Sequence, residues 1–151
     1  MKIIRMAGKS VLTLLMIFSL LRNFYVYGNK TMSNYSGIHS VAYVTVPTVE
    51  VAKKLAHDIV KNKLAACVNI IPQVISVYEW ENKINEDPEL LMMIKTRTDT
   101  VDALTDYVKK NHPYTVCEVI SLPIQNGNEQ YLKWISDTVP PMNKQEQKDD
   151  V

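Results

Sequence analysis

The 151-residue sequence has little of what most catalytic and metal-binding motifs require. It contains only four glycines and two cysteines, and its formal net charge is +1 at pH 7. So few glycines leave little material for a glycine-rich phosphate loop, and two cysteines without C-x-x-C spacing do not make a disulfide framework or a zinc site. The sequence also lacks an H-E-x-x-H motif and a basic stripe. We therefore expect neither a zinc protease nor a nucleic-acid-binding protein.

Residues 1–31 differ from the rest of the chain. Three cationic residues precede an apolar run over residues 11–21, and Arg22 ends the run. A run of this length is short for a membrane span but fits the apolar region of a secretory signal. We predict a signal-like leader that directs the chain to the secretory pathway, as a secreted or membrane-associated protein.

Two N-glycosylation sequons follow this leader. They begin at Asn29 and Asn34, which makes these residues candidate glycosylation sites in a secreted chain. Two alternatives remain open: the leader is retained as an anchor, or translation starts at Met32 and yields a cytosolic form.

The remaining sequence predicts one folded domain over residues 40–140, followed by a polar, disordered tail at 141–151. The first predicted strand covers residues 41–46 and is followed by a helix N-capped by Thr48. Next come strand 65–81, a turn at Asn82 and a return strand 83–96 that is interrupted at Asp87-Pro88. A second helix capped by Thr98, Asp99 or Thr100, strand 116–122 and a helix from 127–128 complete the domain. This β-α-β-β-α-β order with a C-terminal helix predicts an α+β, ferredoxin-like sandwich.

The second predicted strand is too long for such a domain. As one straight strand it would reach roughly 50 Å, whereas a domain of about 100 residues has a radius of gyration of only about 13 Å. Pro72 predicts a bend, and the second half is expected to project with Tyr78 and Trp80 on one face. A projecting apolar strand needs a partner surface, and another copy of the chain is the simplest candidate.

The central strands give an independent argument for self-association. Residues 41–46 and 90–96 are apolar at nearly every position instead of alternating. Strands with one open face normally alternate, so both faces are expected to be buried. The predicted helices cover only one face, and a second copy would cover the other.

Two side chains are candidates for chemistry. Cys67 and His112 could act as nucleophile and base, or as soft metal ligands. The alternatives are that Cys67 packs in the core and that His112 only interacts with the end of a helix. No third orienting group accompanies the pair, so an enzyme is the least supported class.

Lys95 is a candidate because it interrupts an apolar strand. It either extends to the sheet edge or points into a cleft between subunits. Glu118 is predicted to begin the fourth strand, beside the loop after His112, and an ion pair between Lys95 and Glu118 is the alternative to a ligand role.

Several segments together resemble the CutA divalent-cation tolerance family. They are LAACVNIIP at 64–72, then Ser76, Tyr78 and Trp80, IKT at 94–96, HPY at 112–114 and Glu118. The resemblance implies a ferredoxin-like homotrimer with an assembly similar to that of PII signalling proteins. It also implies a divalent-metal response, with copper binding in bacterial members. In animal members with a leader, it implies a role in the processing and localisation of acetylcholinesterase.

The resemblance places six side chains in a cleft between subunits, where they would bind a small polar or anionic effector. They are Cys67, Tyr78, Lys95, His112, Tyr114 and Glu118. Val44 and Asn111 stand where bacterial copper binders carry a cysteine and a histidine, which leaves His112 and Cys67 as a weak site for copper or another divalent cation. Tyr78 and Trp80 would lie in the trimer interface.

Two functions follow from this resemblance. The first is a non-enzymatic trimer that serves as an assembly or localisation factor for acetylcholinesterase or another secretory protein. The second is a sensor that binds copper, another divalent cation or a small effector at the subunit cleft.

Overall fold

A four-stranded antiparallel sheet carries three α-helices in the computed structural model, which describes residues 37–142. The elements are β1 (His39–Val46), α1 (Val49–Lys61), β2 (Cys67–Trp80), β3 (Lys83–Arg97), α2 (Val101–Asn111), β4 (Ile120–Pro123) and α3 (Glu129–Thr138). The strand order in the sheet is β2-β3-β1-β4. This order and the alternation of strands and helices are those of a ferredoxin-like fold, so the predicted fold class is confirmed.

The predicted leader over residues 1–31 and the sequons at Asn29 and Asn34 lie outside the described residues. Residues 143–151 of the predicted tail do so too. Within residues 37–142, no helix is both long enough and apolar enough to cross a membrane.

One face of the sheet and two helices form the main core. Alternate residues of β1 and β3 point to α1 and α2 and are fully buried, because a strand turns every second side chain to the same face. The buried side chains include Ala42, Val44, Val46, Met92 and Ile94 from the strands and Leu55, Ile59, Leu104 and Val108 from the helices. Thr48 caps α1 as predicted, since its hydroxyl accepts a hydrogen bond from the N–H of Val51 at 3.2 Å.

The opposite face of the sheet is covered at one end by α3. A second, smaller cluster forms there from Ala66, Leu132, Ile135 and Val139. Away from α3, the side chains on this face are half-buried, for example Tyr43. The apolar central strands are therefore fully covered on one face and partly covered on the other.

The hairpin of β2 and β3 projects beyond β1. Strand β1 pairs with β3 only as far as Leu90, so residues 74–89, here called the arm, pair only with each other. A β-bulge between Ile71 and Val74 shifts the register where the bend at Pro72 was predicted, and Gln73 has a φ of 63°.

The turn at the tip of the arm has positive φ at both central residues. The angles are 51° at Glu81 and 60° at Asn82. Positive φ at both positions is what a two-residue type I′ hairpin requires. The predicted turn at Asn82 is confirmed.

Three predicted details are wrong. Asp87-Pro88 does not interrupt the return strand, because β3 is continuous and Pro88 pairs opposite Ile75. The fourth strand begins at Ile120, so Glu118 precedes it instead of starting it. Thr100, one of the three predicted caps, is the N-cap residue of α2, but its side chain makes no capping hydrogen bond, and a 3-10 turn over Thr98–Thr100 leads into the helix.

Candidate functional site

The six side chains predicted to line a cleft fall into separate groups within one chain, with Tyr78, His112 and Tyr114 apart from Cys67 and Lys95. Cys67 and Lys95 are cross-strand partners at the end of the sheet near α3. Tyr78 lies on the arm opposite Asn85, which is ten residues from Lys95 along β3. At about 3.3 Å per residue, that separation is roughly 33 Å. One chain therefore does not bring these residues into one site, and a shared cleft between subunits stays a prediction.

Lys95 is buried, with 8% of its surface exposed. Its ammonium donates hydrogen bonds to Oδ1 of Asn69 and to the carbonyl oxygen of Met93, the latter at 3.3 Å. Glu118 is exposed and forms no ion pair with Lys95 in residues 37–142. The alternative explanation of Lys95 as the partner of Glu118 is not realised within this chain.

Cys67 is half-buried on the face that α3 covers. Burial and a hydrogen bond with Cys67 raise the pKa of the Tyr131 hydroxyl on α3. Cys67 is therefore in contact with α3, and it is not a member of the main core.

His112 uses both of its ring nitrogens. Nε2 donates to the carbonyl oxygen of Thr45 at 2.9 Å, and Nδ1 accepts from the N–H of Tyr114 at 3.0 Å. A carbonyl oxygen only accepts and a backbone N–H only donates, so these partners fix the neutral tautomer with hydrogen on Nε2. His112 thus ties the segment after α2 to the end of β1, and neither nitrogen is left to bind a metal.

The spacing along the sheet also separates the two metal candidates. Thr45, which binds His112, lies opposite Leu91, and Cys67 lies opposite Lys95. Leu91 and Lys95 are four residues apart along β3, a distance of roughly 13 Å. In residues 37–142, no group of three or more His, Cys, Asp or Glu side chains is placed to hold a metal ion.

We therefore expect weak copper binding. A soft or borderline metal needs two or more well-placed nitrogen or sulfur ligands. The Cu(II) dissociation constant, measured in competition with a chelator, should be weaker than about micromolar. His112→Ala should leave this constant nearly unchanged while lowering the free energy of unfolding by about 1–3 kcal/mol, because Thr45 and Tyr114 lose their partner. Tight stoichiometric binding that disappears in His112→Ala would contradict this assignment.

A hydroxyl–carboxylate cluster on the arm was not predicted. Its members are Ser76, Tyr78, Asp87 and Glu89 on the arm and Tyr114 from the segment after α2. The Ser76 hydroxyl donates to Oε2 of Glu89 at 2.7 Å, and the Tyr78 hydroxyl donates to Oδ2 of Asp87 at 2.6 Å. The hydrogen bond to Asp87 raises the pKa of Tyr78, and burial followed by the negative charge of Glu89 raises the pKa of Tyr114.

Glu89 is the residue that sequence reasoning missed. It is buried, with 7% of its surface exposed, and Oε1 has no hydrogen-bond partner among the described residues. Neither Glu89 nor Asp87 forms an ion pair in residues 37–142. The sequence feature that could have indicated Glu89 is its even spacing from Lys95 on one strand, since this spacing places both residues on the sheet face away from the main core.

Comparisons with known proteins agree on one family. A family model described as "CutA1 divalent ion tolerance protein" matches residues 40–138. The Protein CutA homolog of Xenopus laevis is 60% identical over 108 residues, which cover 72% of this chain and 72% of that protein. Protein CutA of Homo sapiens is 56% identical over 99 residues, which cover 66% of this chain and 55% of the human protein. The chain thus spans only about half the length of the human relative.

Solved structures give the same result. The crystal structure of CutA1 from Oryza sativa has a TM-score of 0.68 and 50% identity, and the match covers 71% of this chain and 98% of that chain. The divalent cation tolerance protein from Thermus thermophilus has a TM-score of 0.67 and 44% identity, and the match covers 68% of this chain and all of that one.

Proposed function

Because the chain belongs to the CutA1 divalent ion tolerance family, we propose that it acts as a non-enzymatic homotrimer. In this role it binds a partner protein and assists its assembly or localisation. An acetylcholinesterase-type secretory protein is the partner that the sequence resemblance suggests. The separation of Cys67 from His112 supports a non-enzymatic role, since it leaves no nucleophile–base pair of these two residues within the chain.

The exposed apolar surface of the arm carries the proposal. Ile75, Val77 and Ile84 are 63–72% exposed on one face, and Tyr78 and Trp80 are 43% and 53% exposed on the other. Exposed apolar side chains on both faces of a projecting hairpin are typical of a protein interaction site. In a closed ring, each arm contacts the next copy, so the same contact is repeated at every subunit and no arm is left uncovered.

The edges of the sheet support the same arrangement. Strands β2 and β4 are the two outer strands, and β4 exposes Ile120 and Leu122 by 55% and 57%. An unpaired edge can pair with another chain through its free N–H and C=O groups. Each copy therefore offers two different surfaces, as a ring of head-to-tail contacts requires.

Sedimentation equilibrium tests the assembly directly. We expect a chain that begins at Met32 to sediment with three times its monomer mass at micromolar concentration. A folded protein that stays monomeric under these conditions would contradict the proposal. Circular dichroism of the same sample separates a folded monomer from an unfolded one.

The hydroxyl–carboxylate cluster favours the sensor as a second candidate function. Two carboxylates with no cationic partner in the described chain attract a cation or another hydrogen-bond donor. In a sensor, this ligand would come from solution or from a neighbouring subunit. Loss of ligand-dependent stabilisation in Glu89→Gln, with the trimer intact, would distinguish a sensor from a pure assembly factor.

A further inference from the structure

Helix α3 is held to the sheet by few contacts. Leu132, Ile135 and Val139 pack on Ala66 and Ile124 in the small cluster, which is separate from the main core. Elements with few buried apolar contacts open more easily than the core of a domain. The polar contacts between α3 and the sheet therefore contribute a large part of the free energy that keeps α3 docked.

His39 provides such a contact. It is the first residue of β1, is fully buried, and its Nε2 lies 2.7 Å from the Ser136 hydroxyl on α3. We propose that His39 is a pH-sensitive latch, which keeps α3 docked while the imidazole is neutral and releases α3 when the imidazole becomes charged.

The charges around His39 determine the direction of the effect. Arg97 lies opposite His39 on β3, and Asp99 follows in the 3-10 turn. Burial and then Arg97 lower the pKa of His39 from its ordinary value of 6.5, and Asp99 opposes them. On α3, Lys133 and Asp137 lie on either side of Ser136 in the sequence and form an exposed ion pair at 2.7 Å.

The direction in which docking depends on pH follows from the linkage between protonation of His39 and docking of α3. A group whose pKa is lowered in the docked state binds its proton more readily when α3 is released. Docking is therefore fully stable above pH 6.5 and weakens as the pH falls through the lowered pKa of His39. A protonated imidazole still donates from Nε2 to Ser136, so the hydrogen bond survives. What opposes docking is the cost of burying the charged imidazole under α3.

Release of α3 would uncover a specific part of the sheet. Cys67 contacts α3 through Tyr131, and Cys67 pairs across the strands with the buried Lys95. Acidification would therefore increase the exposure of the Cys67 thiol, which is half-buried while α3 is docked. This inference does not depend on the identity of any partner.

Hydrogen exchange of the full chain tests the latch. Protection factors, which are corrected for the pH dependence of intrinsic exchange, would be measured at about pH 8 and about pH 5. We expect the factors of the α3 amides to fall below pH 6.5 by up to about tenfold per pH unit. Amides of β1 and β3 should change much less. Sedimentation at both pH values shows separately whether the assembly persists.

Two variants identify the group responsible. His39→Gln keeps a hydrogen-bond donor but does not titrate, so α3 should lose its pH dependence. Ser136→Ala should lower α3 protection at every pH and keep the pH dependence, because His39 is still buried. The latch is wrong if wild-type α3 shows no fall, or if His39→Gln shows the same fall. Loss of the pH dependence in Asp137→Asn, with His39 intact, would assign it to the ion pair instead.

Discussion

Replacing Trp80 with aspartate is expected to convert the assembled protein into a monomer. Trp80 lies near the tip of the arm and is 53% exposed in the single chain, so a neighbouring copy in the proposed trimer can bury the remaining surface. Truncating a tryptophan at the centre of an interface typically costs about 2 kcal/mol or more, which is roughly thirtyfold in affinity. An aspartate adds the cost of burying a charge, and a ring repeats the loss at each contact.

The control for this change is Lys53→Asp. Lys53 is exposed on α1 and lies outside the arm, so the same new side chain should leave the assembly intact. Sedimentation velocity at several concentrations would compare the two variants, with circular dichroism to check folding. If Trp80→Asp still sediments as a trimer, the arm is not the assembly surface.

The second large effect concerns the compartment that the chain reaches. We expect the full chain to enter the endoplasmic reticulum and to be glycosylated, because three cationic residues precede an apolar run of signal length. Glycosidase treatment should then increase its electrophoretic mobility. Asn34 is the better acceptor, since cleavage after Gly28 would leave Asn29 at the new N-terminus.

Matched variants separate the two sequons and the leader. Asn34→Gln should abolish the mobility shift, and Asn29→Gln should leave it. A chain that starts at Met32 retains Asn34 but lacks the leader, so it should be unmodified and cytosolic. An unglycosylated, cytosolic full-length product would remove the main support for a secretory partner and favour the sensor.

The sequence was sufficient to predict the fold because local and long-range signals agree. Alternation of strand and helix patterns indicated the order of elements, and Thr48 marked the start of α1 correctly. Pro72 marked the bulge and Asn82 marked the turn, because each residue type imposes a specific backbone geometry.

The errors arose where pairing in the sheet decides the outcome. Asp87-Pro88 was expected to interrupt β3, since proline removes a ladder hydrogen bond. However, residues 83–89 of β3 pair with β2 on one side and with no strand of the described chain on the other. On that other side, a proline has no ladder hydrogen bond to remove. Strand β4 begins at Ile120 because residues 116–119 do not pair with β1, although β1 continues to Val46.

The candidate site was less predictable than the fold. The orientation of the His112 ring depends on Thr45, a residue 67 positions earlier in the sequence. The role of Glu89 depends on Ser76 across the hairpin and on its burial. Hydrogen bonds between distant segments leave no local pattern, so only the structure identifies them.

The bulge at Gln73 changes which alternate residues of β2 lie on each face of the sheet. Before it, Cys67, Asn69 and Ile71 share one face of the sheet with Lys95; after it, Val74, Ser76, Tyr78 and Trp80 take that face with Glu89. Deleting one residue at the bulge would leave a regular strand in which every side chain of the arm keeps its face and its partner on β3. We expect the bulge to accept the loss of one residue better than the rest of β2 in the arm, where a deletion would turn the side chains that follow it to the opposite face.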